Sequence, residues 1–161
     1  MSDAILDDAS KPPFRAGEDH FDLHEWPFYW LTRAYGQYLS SLEDALRGVE
    51  LDIPRWRVLM LLEGDLAKST SYLADEAISK LSTMTRIIGR MQADGLVETR
   101  PRASDGRVTE VLLTKNGRRA RVLAWQQAND IYEKAFRDIS VADIGQLNAT
   151  LAKIHGNLKR V

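Results

Sequence analysis

The stretch STSYLADEAISKLSTMTRIIGRMQADGLVETRPRASDGRVTEVLLTKNGRRAR, residues 69–121, decides the fold. Ser69 or Thr70 can cap a short helix running through Ala77, because a hydroxyl at that position accepts from the unpaired N–H groups of a first turn. A turn is expected near Ile78–Leu81. A second helix covers about Ser82–Ala93 and stops at Asp94-Gly95, where glycine supplies the left-handed residue that ends helices. Leu96–Arg100 and Val108–Leu113 read as strands, joined by a polar turn holding Pro101, Ser104, Asp105 and Gly106.

The charge of this stretch is lopsided. Between Lys80 and Arg121 ten basic residues face four acidic ones, a net +6 in a chain whose total is −1. A local basic face on a near-neutral protein points to phosphate as the partner. On the second helix Met84, Ile87, Ile88 and Met91 supply an inward face, while Ser82, Arg86 and Arg90 recur every four residues on the other side. Thr83 and Thr85 flank that stripe. Small hydroxyls with an arginine one turn on suit the major groove of DNA: the hydroxyls reach phosphates or bases and arginine forks onto guanine. Taken alone the stripe also fits a plain solvated helix face.

The hairpin weighs against the plain reading. Arg102, Asp105 and Arg107 fall within six residues at its tip. A basic tip suits the minor groove, whose A·T tracts attract arginine. Asp105 would repel DNA if it faced it; its sensible work is to hold Arg107 by a charge-assisted hydrogen bond.

Outward from this core, residues 1–25 form an acidic arm, with seven acids against two bases and Pro12, Pro13 and Gly17. It is expected to be irregular and partly disordered in the protein alone. A helix is predicted from about Pro27 to Gly48, with Leu31, Tyr35, Tyr38, Leu42, Ala45 and Val49 as its stripe. Pro54 suits the first turn of the next helix, and Trp56–Leu62 is apolar enough to require burial. Lys115–Arg137 reads as a long helix, and Ser140 with Asp143 opens another, on which Ile144, Leu147, Leu151, Ile154 and Leu158 repeat at three-four spacing. The seams at the two ends could bury one another within a single chain, but are expected to build an intersubunit helical layer. The expected fold class is mainly α with a small β-hairpin wing (α+β). Its parts are the arm at 1–25, a helical dimerisation region at 26–64 and 115–161, and a winged helix-turn-helix lobe at 65–114.

Composition narrows the rest. A 44% hydrophobic fraction supports a core, and there is no cysteine, which removes thiol chemistry and fits the cytoplasm. No run of 18 apolar residues marks a membrane span, and MSDAILDDAS lacks the features of a signal peptide. His20, His24 and His155 have no metal-ligand spacing. No metal, cofactor or catalytic residue is expected: the chain has no Ser-His-Asp order, Gly-rich phosphate loop or paired apolar-set carboxylates.

The segment LADEA…STMTRIIGRMQADGLVETR…SDGRVTEVLLTKNGR resembles the MarR family of bacterial winged helix-turn-helix regulators. The resemblance covers Leu73–Arg119 closely. Its most specific parts are S-T-x-T-R, D-G-L-V, the Asp-x-Arg of the wing and L-T-x-x-G-R. Gly106 departs from the pattern, standing where the family often has a second arginine. The resemblance implies a homodimer on a pseudo-palindromic operator, usually a repressor. Ser82, Thr83, Thr85 and Arg86 would read the major groove and Arg107 the minor groove, with Asp105 orienting it. Ser69 and Thr70 would meet phosphate at a helix N-terminus.

It also implies a small, often aromatic, effector. Trp26, Phe28, Tyr29 and Trp30 cluster at the start of the first long helix, with Trp56 and Trp125 on later ones. Candidate ligand contacts are His20, His24, Trp26, Tyr29, Arg33, Trp56, Arg121 and Trp125: rings to line a cleft for a phenolic or benzoate-like acid, arginine for its carboxylate, His or Tyr for its hydroxyl. The competing reading of the same rings is core or dimer packing. Two further readings of the whole chain stand beside these. One is a constitutive or architectural DNA binder without an effector. The other is a winged helix turned to protein interaction, in which the basic character of wing and second helix would have no purpose.

Overall fold

The structure, a computed structural model, describes residues 22–159. His20 and nearly all of the acidic arm lie outside the described residues. The arm's last residues are regular where irregular chain was expected: Leu23–Glu25 form a 3₁₀ turn, capped by the Asp22 carboxylate, which accepts from the His24 N–H.

Helix α1 runs Pro27–Arg47 and α2 runs Ile53–Leu61. A short strand β1, Lys68–Ser69, precedes α3, Thr70–Glu76, and α4, Leu81–Ala93. Strands β2, Val97–Arg102, and β3, Asp105–Leu113, make the wing. Helices α5, Lys115–Ala135, and α6, Val141–Leu158, complete the described chain. The chain divides into two compact units, with the division inside α1 between Tyr38 and Leu39. This is the predicted α+β class: helices plus one antiparallel sheet of order β1-β3-β2.

Four of the helix starts are fixed by a capping side chain. Asp52 accepts from the Arg55 N–H, Ser69 from Tyr72, Thr114 from Gly117 and Ser140 from Asp143, so each end satisfies a donor that the helix leaves unpaired. Helix α4 ends as its sequence predicts. Gly95 has φ +69°, and the Leu96 and Gly95 N–H groups donate to the Met91 and Gln92 carbonyls, a Schellman closure.

In the second unit the core gathers Leu42 and Leu46 of α1 with Trp56, Val58 and Leu59 of α2. Leu73 of α3, Met84, Ile88 and Met91 of α4, Val97, Val111 and Leu113 of the wing and Ala124 of α5 complete it. The apolar run after Pro54 is buried as expected: Val58 and Leu59 are wholly covered. The α1 stripe is covered over a shorter span than its periodicity implied. Leu42 and Leu46 are buried, whereas Leu31, Tyr35 and Tyr38 are exposed. Helix α6 has no buried residue at all among those described. Among the described residues no helix is long and apolar enough to cross a membrane.

Two features lie beyond the sequence reading. β1 was not anticipated; it pairs with β3, Lys68 opposite Val111 and Ser69 opposite Glu110. The wing strands are also longer than predicted. They absorb Pro101, Asp105 and Gly106 into the ladder, with a register shift between Pro101 and Arg102. Pro101 is tolerated because β2 is an edge strand of the sheet.

Candidate nucleic-acid interface

Helix α4 is built two-faced. Met84, Ile88 and Met91 are buried, while Leu81, Ser82, Thr85, Arg86, Gly89 and Arg90 are exposed in a strip two residues wide. Thr83 is half-buried at its edge. Among the described residues neither Arg86 nor Arg90 forms an ion pair. Lys80 provides no side-chain cap, so the N–H groups of the first turn of α4 lack a side-chain acceptor there.

Two hollows flank this helix. One, about 410 Å³, is lined by Ser69 and Thr70 at the start of α3, by Leu81, Thr85 and Gly89 of α4 and by Arg107 of β3. The other, about 220 Å³, brings Thr83, Arg86 and Arg90 beside Asp52 and Arg55 of α2. There Arg55 makes a 3.0 Å ion pair with Asp94, joining the first turn of α2 to the end of α4. The hydroxyls of this surface are partly committed within the chain. Ser69 caps α3, Thr70 donates weakly to the Thr109 carbonyl at 3.4 Å, and Thr85 donates to the Leu81 carbonyl at 2.9 Å.

At the wing tip Asp105 and Arg107 adopt the geometry expected of them. Arg107 donates from its backbone N–H, Nε and Nη2 to the one carboxylate, at 3.1, 3.0 and 3.3 Å. These bonds hold the Asp105 carboxyl below its ordinary pKa, so it stays charged. The Arg107 side chain is 91% exposed. Arg102 goes elsewhere: its Nε donates to Glu110 at 3.1 Å, and the Arg100 Nε donates to the other oxygen of Glu110 at 3.2 Å. The two guanidinium groups hold the Glu110 carboxyl below its usual range. Sequence reasoning missed Glu110. The signal was present, since Arg100 and Arg102 alternate on one face of β2 and Glu110 is the Cα partner of Arg100.

The candidate ligand contacts fall into two groups. In the first unit His24 stacks edge-on against Tyr29 at 5.1 Å, Trp26 meets Phe28 at 5.8 Å, and the Arg33 guanidinium sits 5.5 Å from the Tyr29 ring centre. Trp30 donates from its indole N–H to the His24 carbonyl. In the second unit Trp56 and Trp125 stack at 6.0 Å, with Trp56 only 6% exposed. Arg121 donates from Nε to the Leu59 carbonyl at 3.0 Å. Trp56 and Arg121 therefore have packing and hydrogen-bonding work of their own in that unit. Among the described residues no group of three His, Asp or Glu is placed to hold a metal.

A short helix, a turn, a helix with an exposed basic strip and a two-stranded wing define a winged helix-turn-helix protein. The chain belongs to the MarR family of transcriptional regulators. It is 37% identical over 166 residues to the HTH-type transcriptional repressor IacR of Pseudomonas putida, covering 99% of each chain. It is 31% identical over 150 residues to the transcriptional activatory protein BadR of Rhodopseudomonas palustris, covering 91% of this chain and 86% of that one. Among solved structures, a MarR-family regulator from Silicibacter pomeroyi superposes with a TM-score of 0.76 at 26% identity, over 84% of this chain and 92% of the other. No protein-family model matches the sequence.

Proposed function

We propose that this protein is a homodimeric, sequence-specific DNA-binding regulator, a repressor released from its operator by a small phenolic or benzoate-like aromatic acid or aldehyde. The observation that carries the reading is the end-to-end similarity to a transcriptional repressor. Arg86, with Ser82, Thr83 and Thr85, enters the major groove; Arg90 and the α3 start at Ser69 and Thr70 meet phosphate; Arg107, set by Asp105, enters the minor groove. Arg102 contributes charge to the wing rather than a base contact, because Glu110 holds it.

The dimer reading is supported by what a single chain leaves uncovered. Val122, Leu123, Trp125 and Tyr132 of α5, and Val141, Leu147 and Leu158 of α6, are exposed apolar side chains on two long helices. A second copy would bury them. Supporting the aromatic ligand are the rings at His24, Trp26, Tyr29 and Trp30, with Arg33 beside them. The protein acts in the cytoplasm, without enzymatic activity and without a cofactor.

A thermal-shift panel of aromatic acids and aldehydes, each hit then tested for release of the protein from DNA upstream of its own coding region, tests this reading. A compound that stabilises the protein and frees the DNA is expected. Specific DNA binding with no such compound would leave a constitutive regulator and make the ring clusters packing alone.

A further inference from the structure

The exposed strip of α4 has two chemically different halves. One carries Ser82, Arg86 and Arg90. The other carries Leu81, Thr85 and Gly89, four residues apart and therefore in line along the helix. Leu81 is 55% exposed although it is the first residue of the helix and a large apolar side chain. Thr85 points its hydroxyl back into the helix, where it donates to the Leu81 carbonyl at 2.9 Å, so the hydroxyl is engaged and the methyl remains for an outside contact. Gly89 has nothing within 4 Å of where a side chain would begin, so this half of the strip narrows to bare backbone one turn further on. The same half lines the hollow to which Arg107 contributes from the wing side.

We propose that Leu81 and the Thr85 methyl form an apolar contact that reads the 5-methyl group of a thymine in each operator half-site. The inference rests on the DNA-binding reading above and adds a specificity element to it. The first residues of a recognition helix are those that approach base edges. A leucine more than half exposed there is only partly used in packing among the described residues. Among the base edges of the major groove, the thymine methyl is the one apolar group for it to cover. The arginines beside it supply the attraction to the duplex, so the leucine is pressed against the groove floor rather than left in water. A guanine contact from Arg86 and a methyl contact from Leu81, on adjacent lines of one helix, would together read neighbouring base pairs.

The test uses the full-length protein and a duplex enriched by it from a random library. Each thymine of the enriched half-site is replaced in turn by deoxyuridine, which removes the methyl and leaves hydrogen bonding and the minor groove intact. Burying one methyl is worth about fourfold in affinity. Wild type should lose about that factor at one or two adjacent positions per half-site. Leu81→Ala, which leaves only the Thr85 methyl, should lose most of that ratio, and Thr85→Ser, which keeps the hydroxyl and removes only the methyl, should lose a smaller part of it. Wild type indifferent to every deoxyuridine, or both variants retaining the full ratio, would overturn the proposal while leaving the DNA-binding reading intact. Failure to enrich any duplex would overturn both.

Discussion

Asp105 grips Arg107 with both carboxylate oxygens, Nε at 3.0 Å on one and Nη2 at 3.3 Å on the other. The pair sits at a nearly solvated wing tip, so its effect on stability is small. If Arg107 enters the minor groove as proposed, the pair's effect on binding is larger, because the arginine is held in one geometry before DNA arrives. Simple charge counting says that removing Asp105 should tighten binding to a polyanion. We expect the opposite: Asp105→Ala weakens operator affinity by roughly three- to tenfold, the entropy of fixing one long side chain. Affinity that rises in the variant at fixed salt would show that the acid merely repels.

Arg86 and Arg107 are expected to fail differently. Arg86→Ala should relax preference at one base pair per half-site by about 1–3 kcal/mol. Arg107→Ala should weaken binding chiefly where A·T-rich flanks narrow the minor groove. Competition binding against flank-swapped and base-swapped duplexes separates the two; a uniform loss for Arg107→Ala would exclude shape reading by the wing.

The Glu110 pairs give a pH signature. The folded-state pKa is depressed, first by Arg102 and then by Arg100. The stabilisation is therefore complete above the ordinary glutamate value, about 4.3, and is lost as pH falls through the lower folded value. Glu110→Gln should melt below wild type at pH 7, and the gap should close at strongly acidic pH. A gap that persists in acid would mean that packing, not charge, is what the substitution disturbs.

Ile78 stands at the left-handed position that closes α3, with φ +51° and 90% exposure. The Ser79 N–H reaches the Ala74 carbonyl across it, the closure that favours glycine there. A β-branched side chain at that angle is strained. Ile78→Gly should raise stability by about 1 kcal/mol and the melting temperature by roughly 2–4 °C. A lower melting temperature would show that the exposed isoleucine has a contact in the assembled protein.

Gly117 is the converse case. A Cβ there would lie 1.9 Å from the Leu96 carbonyl oxygen, which is backbone and cannot swing away. Gly117→Ala should cost about 3 kcal/mol or more, a drop of roughly 6 °C or more in the melting temperature. Calorimetry that finds the variant unchanged would require α5 to sit further from the wing root.

The fold was largely legible in the sequence because its signals are local. Gly95 ends α4, Ser69 and Ser140 cap their helices, and the Met84–Ile88–Met91 face sets which side of α4 is buried. What escaped is what depends on pairing across the chain. β1 is two residues long, too short for periodicity to reveal. Glu110 is one acid in a basic segment until β2 is laid beside β3. Arg55 and Asp94 are 39 positions apart and meet only once α2 is placed against α4. Of the candidate site, the Asp105–Arg107 pair and the Ser82–Arg86–Arg90 strip were readable, because turn and helix spacing alone place them. The exposure of Leu81 was not, since an apolar residue at a helix start ordinarily packs inward.

The short strand β1 has a mechanical consequence. On β3, Glu110 lies opposite Ser69 on one edge and Arg100 on the other, and Ser69 is also the cap of α3. The first helix of the reading unit is thus sewn to the root of the wing. A one-residue slip of β3 would turn the charged Glu110 toward the interior and the wholly buried Val111 outward. The wing root and the start of α3 are therefore held in one register. Beyond Pro101 the ladder breaks step, so the tip is the part of the wing expected to adjust if it meets differently shaped DNA.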